Sequence, residues 1–366
     1  MRKLTILTLF VYFICIGAKA QFRKYSNEFL NIGAGARSLG MGGANIATVR
    51  DGTAGYWNPA RIALVDEYPS LSLMHAEYFA GIGKYDFGGI VLPIKDTRRS
   101  IGFTLLRFGI DDIPNTLYLV EPDGSVNYNN IETFSSADYA FMFSMGQVIK
   151  ENEDVTISVG GNAKIIHRSV GQFAKSWGFG LDAGLSIAAD RWKLAAVLRD
   201  ATTTFNSWSF SFDDKEKEVL YMTNNDIPEK STELTSPRLL LGGAYRFDFS
   251  EKFSLLTEAS LETTFDGKRN TLISTDLVSI DPRMGMEFNF NDNLYLRGGI
   301  GNFQQALKDG DTTHLQKTWI FQPSIGAGFK INNVGIDYAF TNLANQSSPL
   351  YTHIVSLNIE LRKKDN

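Results

Sequence analysis

Long stretches of the chain alternate apolar residues with small or polar ones, as strands do when their two faces meet different surroundings. Trp177, Phe179, Leu181, Ala183, Leu185 and Ile187 are separated by Gly178, Gly180, Asp182, Gly184 and Ser186. Val155, Ile157 and Val159 alternate with Thr156, Ser158 and Gly160. Phe253, Leu255, Ala259 and Leu261 alternate with Ser254, Glu258, Ser260 and Glu262, and Val355, Leu357, Ile359 and Leu361 with Ser356, Asn358 and Glu360. A soluble β-sandwich shows the same pattern with its apolar face turned inward. Here the polar face is small and glycine-rich, which suits a crowded lumen. The segments also run to about nine to twelve residues, the length of a tilted strand crossing the hydrocarbon layer, whereas sandwich strands are shorter.

The pattern predicts about fourteen strands, near 69–79, 84–94, 99–110, 134–149, 154–167, 175–188, 191–200, 237–248, 251–264, 281–290, 293–302, 318–331, 333–341 and 351–362. Every second connection is short, as at Ala189-Asp190, Phe249-Ser250, Asn291-Asp292 and Asn332-Asn333. Those between are mostly longer: 111–133, 201–236, 265–280, 303–317 and 342–350. Tight turns at one end and long loops at the other are the arrangement of outer-membrane barrels. The fold class expected is all-β, a single transmembrane antiparallel β-barrel with an N-terminal hatch segment.

Composition sharpens this. Arg2 and Lys3, an apolar run from Leu4 to Ala18, and Ala18-Lys19-Ala20 read as a signal peptide over 1–20, cleaved before Gln21. Cys15, the only cysteine, leaves with it, so neither a disulfide nor a thiolate site is expected. Loss of Arg2, Lys3 and Lys19 lowers Lys+Arg from 36 to 33 against 40 acidic residues, taking the net charge from −4 to −7. An acidic chain without a basic run argues against nucleic acid as a partner. The final strand ends Leu361-Arg362-Lys363 rather than on the aromatic residue common in outer-membrane barrels.

Residues 21–66 fall outside the strand pattern and are expected to form a hatch or plug, with 67–366 as the barrel. Gly40, Gly42 and Gly43 permit positive φ and close backbone approach. Asn58-Pro59 is a turn-and-stop signal, and Tyr56 and Trp57 are large enough to wedge against a lumen wall. Phe29-Leu30-Asn31-Ile32-Gly33, Ala36-Arg37-Ser38-Leu39-Gly40-Met41-Gly42-Gly43-Ala44 and Gly55-Tyr56-Trp57-Asn58-Pro59-Ala60 together resemble the opening of the PorV/PorQ family, within the FadL superfamily of fatty-acid transporters. The resemblance implies an outer-membrane barrel of the type IX secretion system of Bacteroidota. Its protein partners would be translocon components or secreted cargo.

Other chemistry is thin. Gly35 and Gly40 have the glycine spacing of a phosphate-binding loop, but Met41 and Gly42 follow where Lys and Ser/Thr are required. His75, His167, His314 and His353 lack ligand-spaced companions, so no metal, cofactor or catalytic residue is expected. A barrel phospholipase built on His353 or His167 beside a serine is the least supported alternative, since no G-x-S-x-G elbow occurs. Charges on the polar strand faces (Lys164, Asp182, Arg238, Arg246, Glu258, Glu287, Arg297 and Asp337) are expected to pair across the lumen and with the hatch. Loop 201–236 carries Phe205, Trp208, Phe210, Phe212 and Tyr221 beside a charged run, the makings of either a partner-binding surface or a lid.

The leading expectation is a non-enzymatic barrel of a Gram-negative outer membrane, embedded in its lipid and acting with protein partners in secretion or surface attachment. The alternative is a FadL-like channel for hydrophobic small molecules bound in the lumen. It would be favoured by a bulge near Leu105-Leu106 of the third strand, where Phe103, Leu106 and Phe108 suggest a change of phase.

Overall fold

The computed structural model describes residues 21–22, 25–65, 68–121, 123–228, 230–307, 316–342 and 351–362. The expected signal peptide, His314 and the last four residues lie outside them. The strands are β1 (Gln21–Phe22), β2 (Ser70–Tyr78), β3 (Gly83–Ile94), β4 (Arg99–Asn115), β5 (Glu132–Glu151) and β6 (Thr156–Val170). Then come β7 (Ala174–Ala188), β8 (Trp192–Arg199), β9 (Thr204–Phe210), β10 (Ser231–Thr235), β11 (Arg238–Asp248) and β12 (Phe253–Thr264). The last six are β13 (Ile273–Ser274), β14 (Ser279–Phe290), β15 (Leu294–Leu307), β16 (Lys317–Ile331), β17 (Val334–Thr341) and β18 (Thr352–Glu360).

Neighbours in sequence pair antiparallel around the wall, and β18 closes it against β2, with Val355 opposite His75. β8 continues into β9, and β10 into β11, as single broken staves, so the closed barrel has fourteen. Closure leaves no open edge, which is what a sheet in lipid requires. The tight turns use residues that tolerate the left-handed region: Asn291 and Asp292 have φ of 56° and 53°, and Asn332 has 53°.

The outer face is apolar at mid-height, where Phe103, Phe143, Leu241, Met286, Leu296 and Ile325 stand exposed. Aromatic clusters flank that band. Tyr139, His167 and Trp177 stack at the long-loop end, and Phe253 with Phe290 and Tyr245 with Phe247 at the short-turn end. Such girdles mark the two interfaces of a membrane barrel.

Two sequence expectations change. First, β4 has no bulge at Leu105-Leu106; it pairs continuously with β3 and β5 from Arg99 to Ile110. Leu106 and Phe108 face inward as their parity requires, and look out of phase only because the lumen there is apolar, packed with the hatch. Second, 201–236 is not one loop. β9 and β10 carry the wall upward, leaving 211–230 with a helix at Asp214–Met222. The stave breaks at 199–204, where β7 passes from pairing Ala183 with Leu198 to pairing Phe179 with Phe205. The surplus residues turn inward, with Asp200 at φ 54°.

Candidate functional site: the hatch and the cavity above it

Residues 25–65 run through the lumen as short helical turns, at Glu28–Asn31, Ala36–Gly40, Ala54–Trp57 and Pro59–Leu64. Asn58 is extended and its side chain works three ways. It accepts from Ala60 N–H at 3.0 Å and donates to the carbonyls of Ile46 (3.1 Å) and Leu185 (3.3 Å). Pro59 follows as the first residue of the next turn, where its missing N–H costs nothing. The Tyr56 hydroxyl donates to the Leu30 carbonyl (2.7 Å) and accepts from Gly33 N–H (3.1 Å), while Trp57 Nε1 donates to Ala34 O (2.7 Å). The two rings therefore staple the hatch to itself. Against the wall they meet Arg199, whose guanidinium lies 5.0 Å from the Tyr56 ring and 5.7 Å from that of Trp57.

The glycines of the polar strand faces sit where the hatch touches the wall. A Cβ on Gly299 would lie 2.1 Å from Gly42 N, and one on Gly285 2.5 Å from Met41 O. On Gly160 it would meet Pro59 O at 2.3 Å, and on Gly89 Gly52 O at 2.2 Å. Gly40 lies against Gly326, and Gly42, at φ 66°, is both left-handed and pressed on the Ile300 backbone. Gly43 is left-handed too and lies against Arg283. These contacts fall on β3, β6, β14, β15 and β16, so the hatch meets the wall on widely separated staves. The small polar face is a docking surface for a second backbone.

Charge completes the attachment. Glu287 accepts from Arg37 of the hatch at 2.8 and 2.9 Å and from Arg297 at 2.6 Å, and Arg297 also pairs with Asp337 at 2.6 Å. Glu258 accepts from Ala47 N–H (2.8 Å) and the Thr48 hydroxyl (2.5 Å). Lys164 bridges Asp182 (2.7 Å) and Asp200 (2.5 Å), and Asp200 reaches Arg238 at 3.4 Å. Arg246 differs: it is a half-exposed rim residue paired with Asp190 and Asp248. Parity along β12 and β14 also places Glu262, Asp281 and Arg283 inside, Asp281 and Arg283 in step with Glu287. Asp200 carries no such parity signal, because it belongs to no alternating run.

Above this layer, at the long-loop end, lies a cavity of about 530 Å³. Its floor is hatch (Tyr25, Glu28, Asn31, Leu39 and Gly42), and its sides include Tyr78, Thr264, Asp281, Gln304, Gln322 and Asn342. Two smaller cavities, of about 290 and 90 Å³, open at the short-turn end beside Arg50 and Tyr295. They share no described lining residue with the upper one, and the ion-paired Arg37, Glu287 and Arg297 line these lower cavities.

The loop aromatics separate. Phe205 faces outward on the wall, and Trp208 is buried with the Arg168 guanidinium 5.2 Å from its ring. Phe210 stacks on Trp208 and Phe212 on Phe173. Tyr221 alone among the five stands free in solvent, at 84% exposed on the helix. The Gly35–Gly40 turn is no anion cradle, since Ala36 N–H is held by the Ser356 hydroxyl at 2.8 Å. Of the histidines, His75 meets Asp86, His167 Nδ1 meets the Ser176 carbonyl oxygen and His353 meets the Tyr338 hydroxyl; none of these partners is a serine hydroxyl. Among the described residues no three His, Cys, Asp or Glu side chains gather as a metal site.

No protein-family model matches the chain, and no curated protein is significantly similar to it in sequence. Solved structures do share its fold. The Ralstonia pickettii toluene transporter TbuX is 13% identical with a TM-score of 0.55, over 90% of this chain and 99% of that one. The Pseudomonas putida toluene transporter TodX gives the same values. The monoaromatic hydrocarbon channel CymD is 13% identical with a TM-score of 0.54, over 91% and 98%. This chain therefore folds as a closed fourteen-stranded antiparallel transmembrane β-barrel, the fold it shares with these structures, with its N-terminal segment packed inside.

Proposed function

We propose that the protein is a gated small-molecule channel of the outer membrane, its long loops extracellular and its tight turns periplasmic. The observation that carries this is the cavity of about 530 Å³ inside a lipid-facing barrel, at its long-loop end and floored by the hatch. Solute would collect there and pass when the hatch shifts. The likeness to transporter barrels supports the fold on which such a channel is built.

A disulfide lock tests the gate. A Cβ on Gly55 of the hatch would lie 3.5 Å from Ser144 Cβ on β5, within the range of a natural disulfide. Gly55→Cys with Ser144→Cys, oxidised, should abolish solute permeation in proteoliposomes, and reductant should restore it. A wild-type barrel that passes neither sugars nor toluene would refute the channel, and permeation undiminished by the oxidised lock would refute the gate.

A second reading, partner binding in type IX secretion, is supported by the N-terminal resemblance and by apolar residues on the extracellular rim. Besides Tyr221, Met222 is 72% and Leu277 79% exposed there. The helix that presents Tyr221 is fixed by a capping box between Asp213 and Glu216. Affinity purification from outer membranes should then recover translocon or cargo proteins, and recovery of the barrel alone would count against it.

A further inference from the structure

We infer that the solute taken by the extracellular cavity is a neutral polyhydroxylated molecule of mono- to trisaccharide size, not a hydrocarbon. The inference deepens the channel reading and rests on it for the solute's passage, though not for its binding.

The lining is the first ground. Among the described residues its aliphatic side chains are Ile32 and Leu39, and amides and hydroxyls such as Asn302, Gln304, Gln322, Ser324, Thr341 and Asn342 make up most of the rest. Part of their capacity is met within the protein, where Gln304 Nε2 donates to Asn302 Oδ1, Ser324 Oγ to Gly40 O and Asn342 Nδ2 to the Thr352 hydroxyl; a hydrocarbon would strip water from what remains and give nothing back. A sugar hydroxyl is donor and acceptor at once, so it matches an amide whichever way the amide is turned.

The unmet hydrogen-bonding capacity is the second. Asn31 Oδ1, Thr264 Oγ1 and Asp281 Oδ1 are buried without a hydrogen-bond partner, and all three residues line this one cavity. Thr264 is only 5% exposed. Two of these atoms can only accept, so they call for a ligand that donates. Toluene and an ionised fatty acid do not.

Charge is the third. Glu262 is met by Arg283 (2.9 Å) and Arg238 (3.1 Å), and Arg269 by Asp266 (2.7 Å) and Glu28 (3.4 Å). Among the described residues these fixed charges satisfy one another, which favours neither an anion nor a cation. The volume falls within the 300–1,000 Å³ usual for small-ligand sites.

The test is calorimetric titration of the purified barrel, in a sugar-free detergent, with glucose, maltose, maltotriose and raffinose, and separately with toluene and oleate. At least one sugar should bind, and Thr264→Val and Gln322→Leu should each weaken it tenfold or more while the barrel's heat-modifiability is unchanged. Binding of toluene or oleate that the same variants remove, or binding by none of the sugars, overturns the inference. A sugar that binds but never permeates, even when the hatch is loosened, overturns the channel and leaves the ligand class intact. Toluene that permeates while no sugar binds does the reverse.

Discussion

The pair most exposed to experiment is Arg37 with Glu287, because it joins hatch to wall in a buried setting. Glu287→Gln keeps the volume but turns a neutral group of two arginines and two carboxylates into one carrying a net positive charge. Arg297 keeps Asp337 at 2.6 Å, whereas Arg37 keeps a hydrogen bond to the Asn45 side chain and loses its carboxylate ion pair. Removing one partner from a buried pair costs about 3–5 kcal/mol, mostly the price of the charge left behind. The barrel ladder does not depend on Arg37, so the loss should appear as local opening of the hatch. Hydrogen exchange at the Leu39 and Gly43 amides, which bond to Gly35 O (3.0 Å) and Ser38 O (2.9 Å), reports it directly. At about 1.4 kcal/mol per tenfold, protection there should fall by roughly two to three powers of ten, with β5 and β6 unchanged. Arg37→Met with Glu287→Met removes both charges and should restore most of the protection. If the single substitution leaves hatch exchange untouched, or speeds exchange in hatch and wall alike, the ion pair does not hold the gate.

Three further outcomes are expected. Gly299→Ala should destabilise the barrel by about 1–3 kcal/mol in urea unfolding, since its Cβ would meet Gly42 N at 2.1 Å, while Gly298→Ala, with nothing within 4 Å, should be neutral or mildly stabilising; equal effects would disprove the docking seam. Trp57→Phe strips the Ala34 carbonyl of its donor and should loosen the hatch by about 1–2 kcal/mol, read as faster cleavage by a periplasmic-side protease; unchanged cleavage would count against the staple. At the tip of the β4–β5 hairpin, hydrogen bonds from Asn127 and Asn130 hold the Glu121 carboxyl below its ordinary value of 4.5. A depressed value contributes order above that pH and loses it as the pH falls through the shifted one. Protection of the tip amides, taken relative to their intrinsic exchange rate at each pH, should therefore fall in acid in the native protein and show no such step in Glu121→Gln.

The wall was legible in the sequence because a strand between lipid and lumen must alternate at every second residue, and turns at one end must be tight. Parity along one strand is local information, so even the inward carboxylates Glu258, Glu287 and Asp337 could be placed without knowing what they meet. Their partners could not. Arg37 lies some 250 positions from Glu287, and Gly42 a similar distance from Gly299; only closing the barrel around the hatch makes them neighbours. The break at Asp200 also escaped, since its residues follow no alternation and owe their place to Lys164 and Arg238 on other staves. The cavity belongs wholly to the tertiary structure. Its floor comes from the N-terminal segment and its sides from the far ends of distant strands, and hydrogen-bonding groups left unpaired by that meeting have no mark in the sequence. Alternation decided that there is a barrel; the packing of one backbone inside another decided what it can hold.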